Sequence, residues 1–162
     1  MKVGDENNLR AIRRSIVDVG FKCGQSAHFG GGLSIVELLY VLYKDFLRIF
    51  PEHTHDPKRD IFILSKGHGV LGLYAILHFF EFIPRKIFES FQSNGSPLIA
   101  HPVRNYDLGI ESSNGSLGQG LAMLSGMALA SNLRGENRRF FTLMGDGECN
   151  EGSGWEAAMF CS

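Results

Sequence analysis

An apolar run that breaks into an acidic glycine turn and then into a helical pattern constrains this chain more than any other stretch. Residues 140–144 read FFTLM, Gly145-Asp146-Gly147 follows, and 151–160 continue as EGSGWEAAMF. A short continuous apolar run predicts a strand buried on both faces. Strand, glycine turn and helix in that order make the repeating unit of an α/β layer. Backbone N–H groups at such a turn form a good seat for phosphate. Yet the turn carries Asp146, Glu148 and Glu151, and no Lys or Arg follows Phe140. Acid alone repels phosphate; a divalent cation held between carboxylate and phosphate removes the conflict. Asp146 is thus the candidate metal ligand of a metal-bridged diphosphate site.

Three other loop chemistries fail on the same residues. A dinucleotide fingerprint needs a third glycine where Asn150 stands, and a P-loop needs a Gly-Lys pair that is absent. A calcium loop starting at Asp146 would want Gly and Glu where Glu151 and Ala157 stand.

The rest of the pattern agrees with an α/β layer. Leu9, Ile12, Ile16 and Val19 fall at helical spacing and predict a helix over 6–22. Gly30-Gly31-Gly32 is expected to break the chain. Ser34 and Glu37 have the spacing of a capping box, with Leu33 and Leu38 as staple, and the helix behind them would bury Ile35, Leu38, Leu39, Leu42, Phe46 and Ile49. Pro51 to Lys58 reads as a polar turn, and Ile61-Phe62-Ile63-Leu64 as a strand buried on both faces. A helix over 69–80 follows, then a short one over 84–92 with Pro84 near its start. Residues 93–117 are rich in Ser, Asn, Gly and Pro, and a loop of that length in a compact domain is usually functional. The helix predicted over 118–130 is lined with glycine and alanine, which points to close packing or close approach of a ligand. Strand 139–144 completes the set. Two strands are too few for a finished open sheet, and no capping signal precedes Ser162, so the chain is expected to be one partial domain over 1–162, incomplete at its C-terminus.

A net charge of −1 provides no basic field for nucleic acid or an acidic membrane. No apolar run approaches the ~20 residues of a membrane span, and the polar start MKVGDENNL is unlike a secretory leader. Cys23, Cys149 and Cys161 lack metal-ligand spacing, so reduced, semi-buried thiols and a cytoplasmic setting are expected. His53 and His55 are expected in solvent, His78 in packing, and Trp155 in the core.

GDGECNEGSGWEAAMF resembles the first half of the thiamine diphosphate motif of transketolases. SAHFGGGLSIVELLYVLY, RDIFILSKGHGVLGLYAIL and IAHPVRNYDLGIESSNGSLGQGLAMLSGMALA are similar to three further transketolase segments in the same order. The likeness covers about 10–162 and is nearest the N-terminal subunit of the split, two-chain enzymes. The chain departs from the pattern at Gln25-Ser26-Ala27, where a Ser-Gly pair usually precedes His28.

The resemblance implies a thiamine-diphosphate-binding fold, a mainly parallel sheet flanked by helices. It implies Mg²⁺ (or Ca²⁺) on Asp146 and a backbone N–H from Gly147 to the diphosphate. Gly115, Ser116 and Leu117 would contact the cofactor, and His68 the diphosphate or the sugar. His28 and His101 would line the substrate channel as catalytic residues, and Glu151 would join a network between paired cofactor sites. A two-carbon ketol unit would move between sugar phosphates, and a C-terminal transketolase subunit or domain would complete the site in a dimer or heterotetramer. A 2-oxo acid dehydrogenase component, a deoxyxylulose phosphate synthase or a non-catalytic fragment are the alternatives; LSKGHG and SLGQG favour transketolase over the other two enzymes.

Overall fold

The computed structural model describes residues 3–162, so the first two positions of the polar start lie outside the described residues. The chain runs α1 (Val3–Lys22), α2 (Phe29–Leu33), α3 (Val36–Val41), β1 (Ile61–Leu64), α4 (Val70–Phe79), α5 (Arg85–Phe88), α6 (Gln119–Leu133), β2 (Phe140–Leu143) and α7 (Gly152–Phe160). β1 and β2 pair in parallel, with Ile61 opposite Phe140 and Leu64 opposite Leu143. Parallel neighbours need a long crossover, and α4, α5, the long loop and α6 supply it.

Strand alternation sorts the side chains onto two faces. Phe62, Leu64, Phe141 and Leu143 turn toward a large core built from α1, α3 and α4. Ile61, Ile63 and Phe140 turn to the other face, against Leu124, Met123 and Met127 of α6. α4 is buried nearly all round, from Val70 to Leu77, as a helix between layers must be. His78 stacks on Phe88 at 4.7 Å, and its Nδ1 lies 2.8 Å from the Ile83 carbonyl, a packing residue as expected.

Five expectations are corrected. The Gly30–Gly32 segment does not break the chain but lies within α2. Its glycines serve contact: a Cβ on Gly32 would sit 2.9 Å from the Gly72 backbone nitrogen, so α2 and α4 cross backbone to backbone. The capping box does not form. Ser34 Oγ donates to the Gly31 carbonyl, Ile35 caps α3, and Glu37 pairs with Arg13 instead. The α3 face is therefore rotated: Val36, Leu39, Tyr40 and Tyr43 are buried, while Leu38 and Phe46 face outward. β2 is half-buried rather than enclosed, because among the described residues only β1 lies beside it. Trp155 is 63% exposed. α7 packs through its small residues Gly154 and Ala157, which leaves the indole outside with its N–H on the Cys149 carbonyl.

Of the cysteines, Cys23 is half-buried and Cys149 and Cys161 are exposed; all three are free. His53 and His55 lie on the surface, but His55 is partnered by Asp107 at 2.7 Å. Among the described residues no helix is long and apolar enough to cross a membrane.

Candidate functional site

The C-terminal ends of both strands open into turns, the place where an α/β layer presents ligand groups. β1 runs into Ser65-Lys66 and then a tight turn over Gly67–Gly69 that opens α4. β2 runs into Gly145-Asp146 and a second tight turn over Gly147–Asn150 that leads to α7. The long loop returns between them and ends at Gly118, the N-cap of α6. Gly118 has φ +78°, and a Cβ there would lie 2.8 Å from the Glu151 Cβ, so no other residue fits.

Three histidines from three separate segments meet at this end. The His28 ring, just before α2, lies 6.1 Å from the His68 ring and 5.7 Å from the His101 ring. Gly115 borders the same cluster, its Cβ direction 3.9 Å from His101. His68 is half-buried, and its pKa is held below the usual histidine value. Burial is the main cause, the Lys66 and His28 charges add to it, and Glu148 opposes it. The ring is neutral at pH 7, with one nitrogen donating and the other accepting.

Asp146 is exposed, and its carboxylate makes no hydrogen bond or ion pair among the described residues. Gly147 beside it has open space: a Cβ there would meet nothing within 4 Å. A free carboxylate with room next to it fits a cation that also binds a diphosphate. It does not make a metal cage alone, since no group of three or more His, Cys, Asp or Glu among the described residues could hold an ion. Mg²⁺ takes about six oxygens, so most of its shell would come from the cofactor, water and other protein groups.

Sequence reasoning had this bend free of basic residues. In space it is not: the Lys66 stem comes from the other strand, its Cβ 3.7 Å from a Cβ built on Gly145. Chain spacing could not show this, because paired positions of the two strands lie 79 residues apart in sequence.

Of the remaining candidates, Gly115 and Ser116 are exposed and Leu117 is half-buried. Glu151 is exposed at the start of α7, its stem against Gly118. The residue missed was Glu148, 1% exposed beneath the turn. Its only signal was a third acid in the motif.

Comparison with known proteins identifies the family. The family model of the transketolase thiamine diphosphate binding domain matches residues 5–162. The chain belongs to the transketolase family. It is 41% identical to an apulose-4-phosphate transketolase subunit from Actinobacillus succinogenes over 154 residues, which is 95% of this chain and 56% of that protein. It is likewise 41% identical to the 6-deoxy-6-sulfo-D-fructose transketolase subunit SqwG of a Clostridium species, over 96% of this chain and 56% of the relative. A transketolase from Leishmania mexicana superposes with a TM-score of 0.82 at 29% identity, over 94% of this chain and 24% of that one. The chain thus spans about half the length of these curated relatives and a quarter of the solved transketolase. The α/β architecture is that of transketolases.

Proposed function

We propose that the chain is the N-terminal, diphosphate-binding part of a transketolase-like enzyme that moves a two-carbon ketol unit between sugar phosphates and needs a partner chain or domain. One observation carries this: the three histidines, the Gly115–Leu117 turn and the unpaired Asp146 all sit at the C-terminal ends of the two parallel strands. The Actinobacillus and Clostridium relatives are both named as subunits of transketolases, which supports a partner chain here.

Thiamine diphosphate, when bound, supplies the carbon–carbon bond chemistry. The protein groups orient and handle protons. Asp146 would hold Mg²⁺ (or Ca²⁺) against the diphosphate, and the Gly147 N–H would donate to it. Gly115, Ser116 and Leu117 would wall the cofactor. His68, kept neutral by burial and by Lys66, would donate to the diphosphate or the sugar. His28 and His101 would hydrogen-bond substrate hydroxyls, and Glu151 would reach toward a second copy of the site.

Calorimetry with thiamine diphosphate and Mg²⁺ tests the reading. Binding is expected for the chain and should weaken at least ~10-fold in Asp146→Asn, as for loss of a charged ligand. No binding with or without a partner chain would sink it. A coupled assay with ketose and aldose phosphates should give product only once the partner is present.

A further inference from the structure

The most unusual group near the two turns is a carboxylate with no cation. Glu148 is 1% exposed, and it takes part in no ion pair among the described residues. Burying an unpaired charge is costly unless donors surround it. Here three donors do. Glu148 Oε1 accepts the Ser65 hydroxyl and, at 2.8 Å, the Gly118 N–H. Oε2 accepts the Gly145 N–H at 3.0 Å. Ser65 Oγ in turn accepts the Gly120 N–H at 3.1 Å.

The donors come from three places far apart in sequence: the end of β1, the N-cap of α6 and the turn after β2. Three donors converging on one side chain need an acceptor-only group, and an ionised carboxylate is that group. A glutamine could take the Ser65 and Gly118 hydrogen bonds, but its amide nitrogen would then face the Gly145 N–H. Gly118 follows directly on Leu117, and Gly145 directly precedes Asp146. Both glycine donors are one residue from a group placed against the cofactor above. The Ser153 hydroxyl donates to the Gly118 carbonyl at 3.1 Å, so both backbone polar groups of Gly118 are held.

We propose that Glu148 is a positioning residue that fixes the Gly115–Leu117 turn and the Asp146–Gly147 turn relative to each other, so that the cofactor's anionic end meets both at once. It acts through the two backbones and does not touch the ligand. The proposal rests on the reading of those turns as the thiamine diphosphate site.

The test compares the full chain with Glu148→Gln, Glu148→Asp and Ser65→Ala, using thiamine diphosphate with Mg²⁺ as probe. Glu148→Gln should weaken binding about 10-fold or more, as expected for loss of one charge-assisted hydrogen bond and creation of a donor–donor clash. Glu148→Asp keeps the charge but is too short to span the donors, so it should fail to rescue. In amide NMR spectra of the cofactor-free chain, the Gly118 and Gly145 signals should both move in the Gln and Asp variants. Ser65→Ala keeps the carboxylate and both glycine contacts, and should lose roughly threefold in affinity; it carries the test if the Glu148 variants do not fold. Wild-type affinity in Glu148→Asp or in Ser65→Ala would overturn the proposal, as would a lowered melting temperature with unchanged affinity in Glu148→Gln. Absence of binding by the wild-type chain, with and without a partner chain, would overturn the site reading, and this inference with it.

Discussion

The two ends of the parallel strand pair use the same residue types in opposite ways. At the N-terminal end three buried charges near the strands, Asp60, Arg59 and Glu111, are spent on structure. Asp60, 1% exposed, accepts the Arg48 N–H at 2.7 Å and the Arg139 N–H at 3.2 Å, and its carboxylate is clasped by the Arg139 guanidinium. Arg59, 8% exposed, pairs with Glu111, which is 3% exposed. At the C-terminal end Asp146 is exposed, and among the described residues its side chain has no partner and the three histidine rings gather without an ion pair. Unspent polar groups held by a rigid scaffold are what a ligand can use. One aspartate therefore locks the fold, and the other is left open to solvent, where we propose that a cation binds.

Mutations should divide along the same line. Arg59→Met has the largest expected effect, because it strands a buried carboxylate; about 3–5 kcal/mol of stability should go, measured by urea denaturation. Burial pushes the Glu111 carboxyl above its usual value, while Arg59 pulls it down. Without Arg59 the folded pKa rises further. A raised folded pKa gives stability that is present at low pH and lost as pH rises through it. The variant's deficit should therefore be greater at pH 8 than at pH 5.

Asp60→Asn comes next, at about 2 kcal/mol, discounted because the Arg139 partner is partly exposed. Burial acts to raise the Asp60 pKa, but the Arg139 side chain and the Arg48 and Arg139 N–H groups outweigh it and hold it low. The sign is reversed here. This stability is present above the ordinary aspartate value of about 3.9. Wild type and variant should converge as the pH falls through the lower folded value. A difference that persists in acid would mean that the charge on Asp60 is not what joins the strands.

Much of this arrangement was legible in the sequence, and the gaps have physical causes. Both strands, the helices other than α2 and the long loop leave local patterns: periodicity, continuous apolar runs, turn residues. The turn with Asp146 and Gly147 was readable for the same reason. The capping box at Ser34 misled because the local signal was overridden by tertiary packing: α2 continues through the glycines to cross α4, so the start of α3 shifts to Ile35. Trp155 misled because burial depends on neighbours that no single helix encodes. Lys66 beside Gly145, and Glu148 beneath three segments, are contacts across 79 and 83 residues. Only the parallel register brings them together.

At the open end a smaller effect is expected from Lys66→Met. His68 is held low chiefly by burial, with the Lys66 charge second. Removing that charge should move the His68 titration, followed by its ring-proton NMR signal, part of the way back up toward the ordinary value. A His68 titration that does not move would remove Lys66 from the electrostatics of this end.

The smallest expected effect is the most diagnostic. Asp146→Asn should change the stability of the ligand-free chain by no more than ~0.5 kcal/mol, since an exposed, unpartnered side chain has little to lose. The same change in charge at Asp60, in the same strand pair, is expected to cost several times more. If Asp146→Asn instead lost ~1 kcal/mol or more, the carboxylate would be holding its own turn together, as Asp60 holds the strand starts. The contrast between the two ends would collapse. If stability holds and only Mg²⁺-dependent affinity falls, then the two aspartates differ by what surrounds them, one enclosed by donors and the other left for a metal.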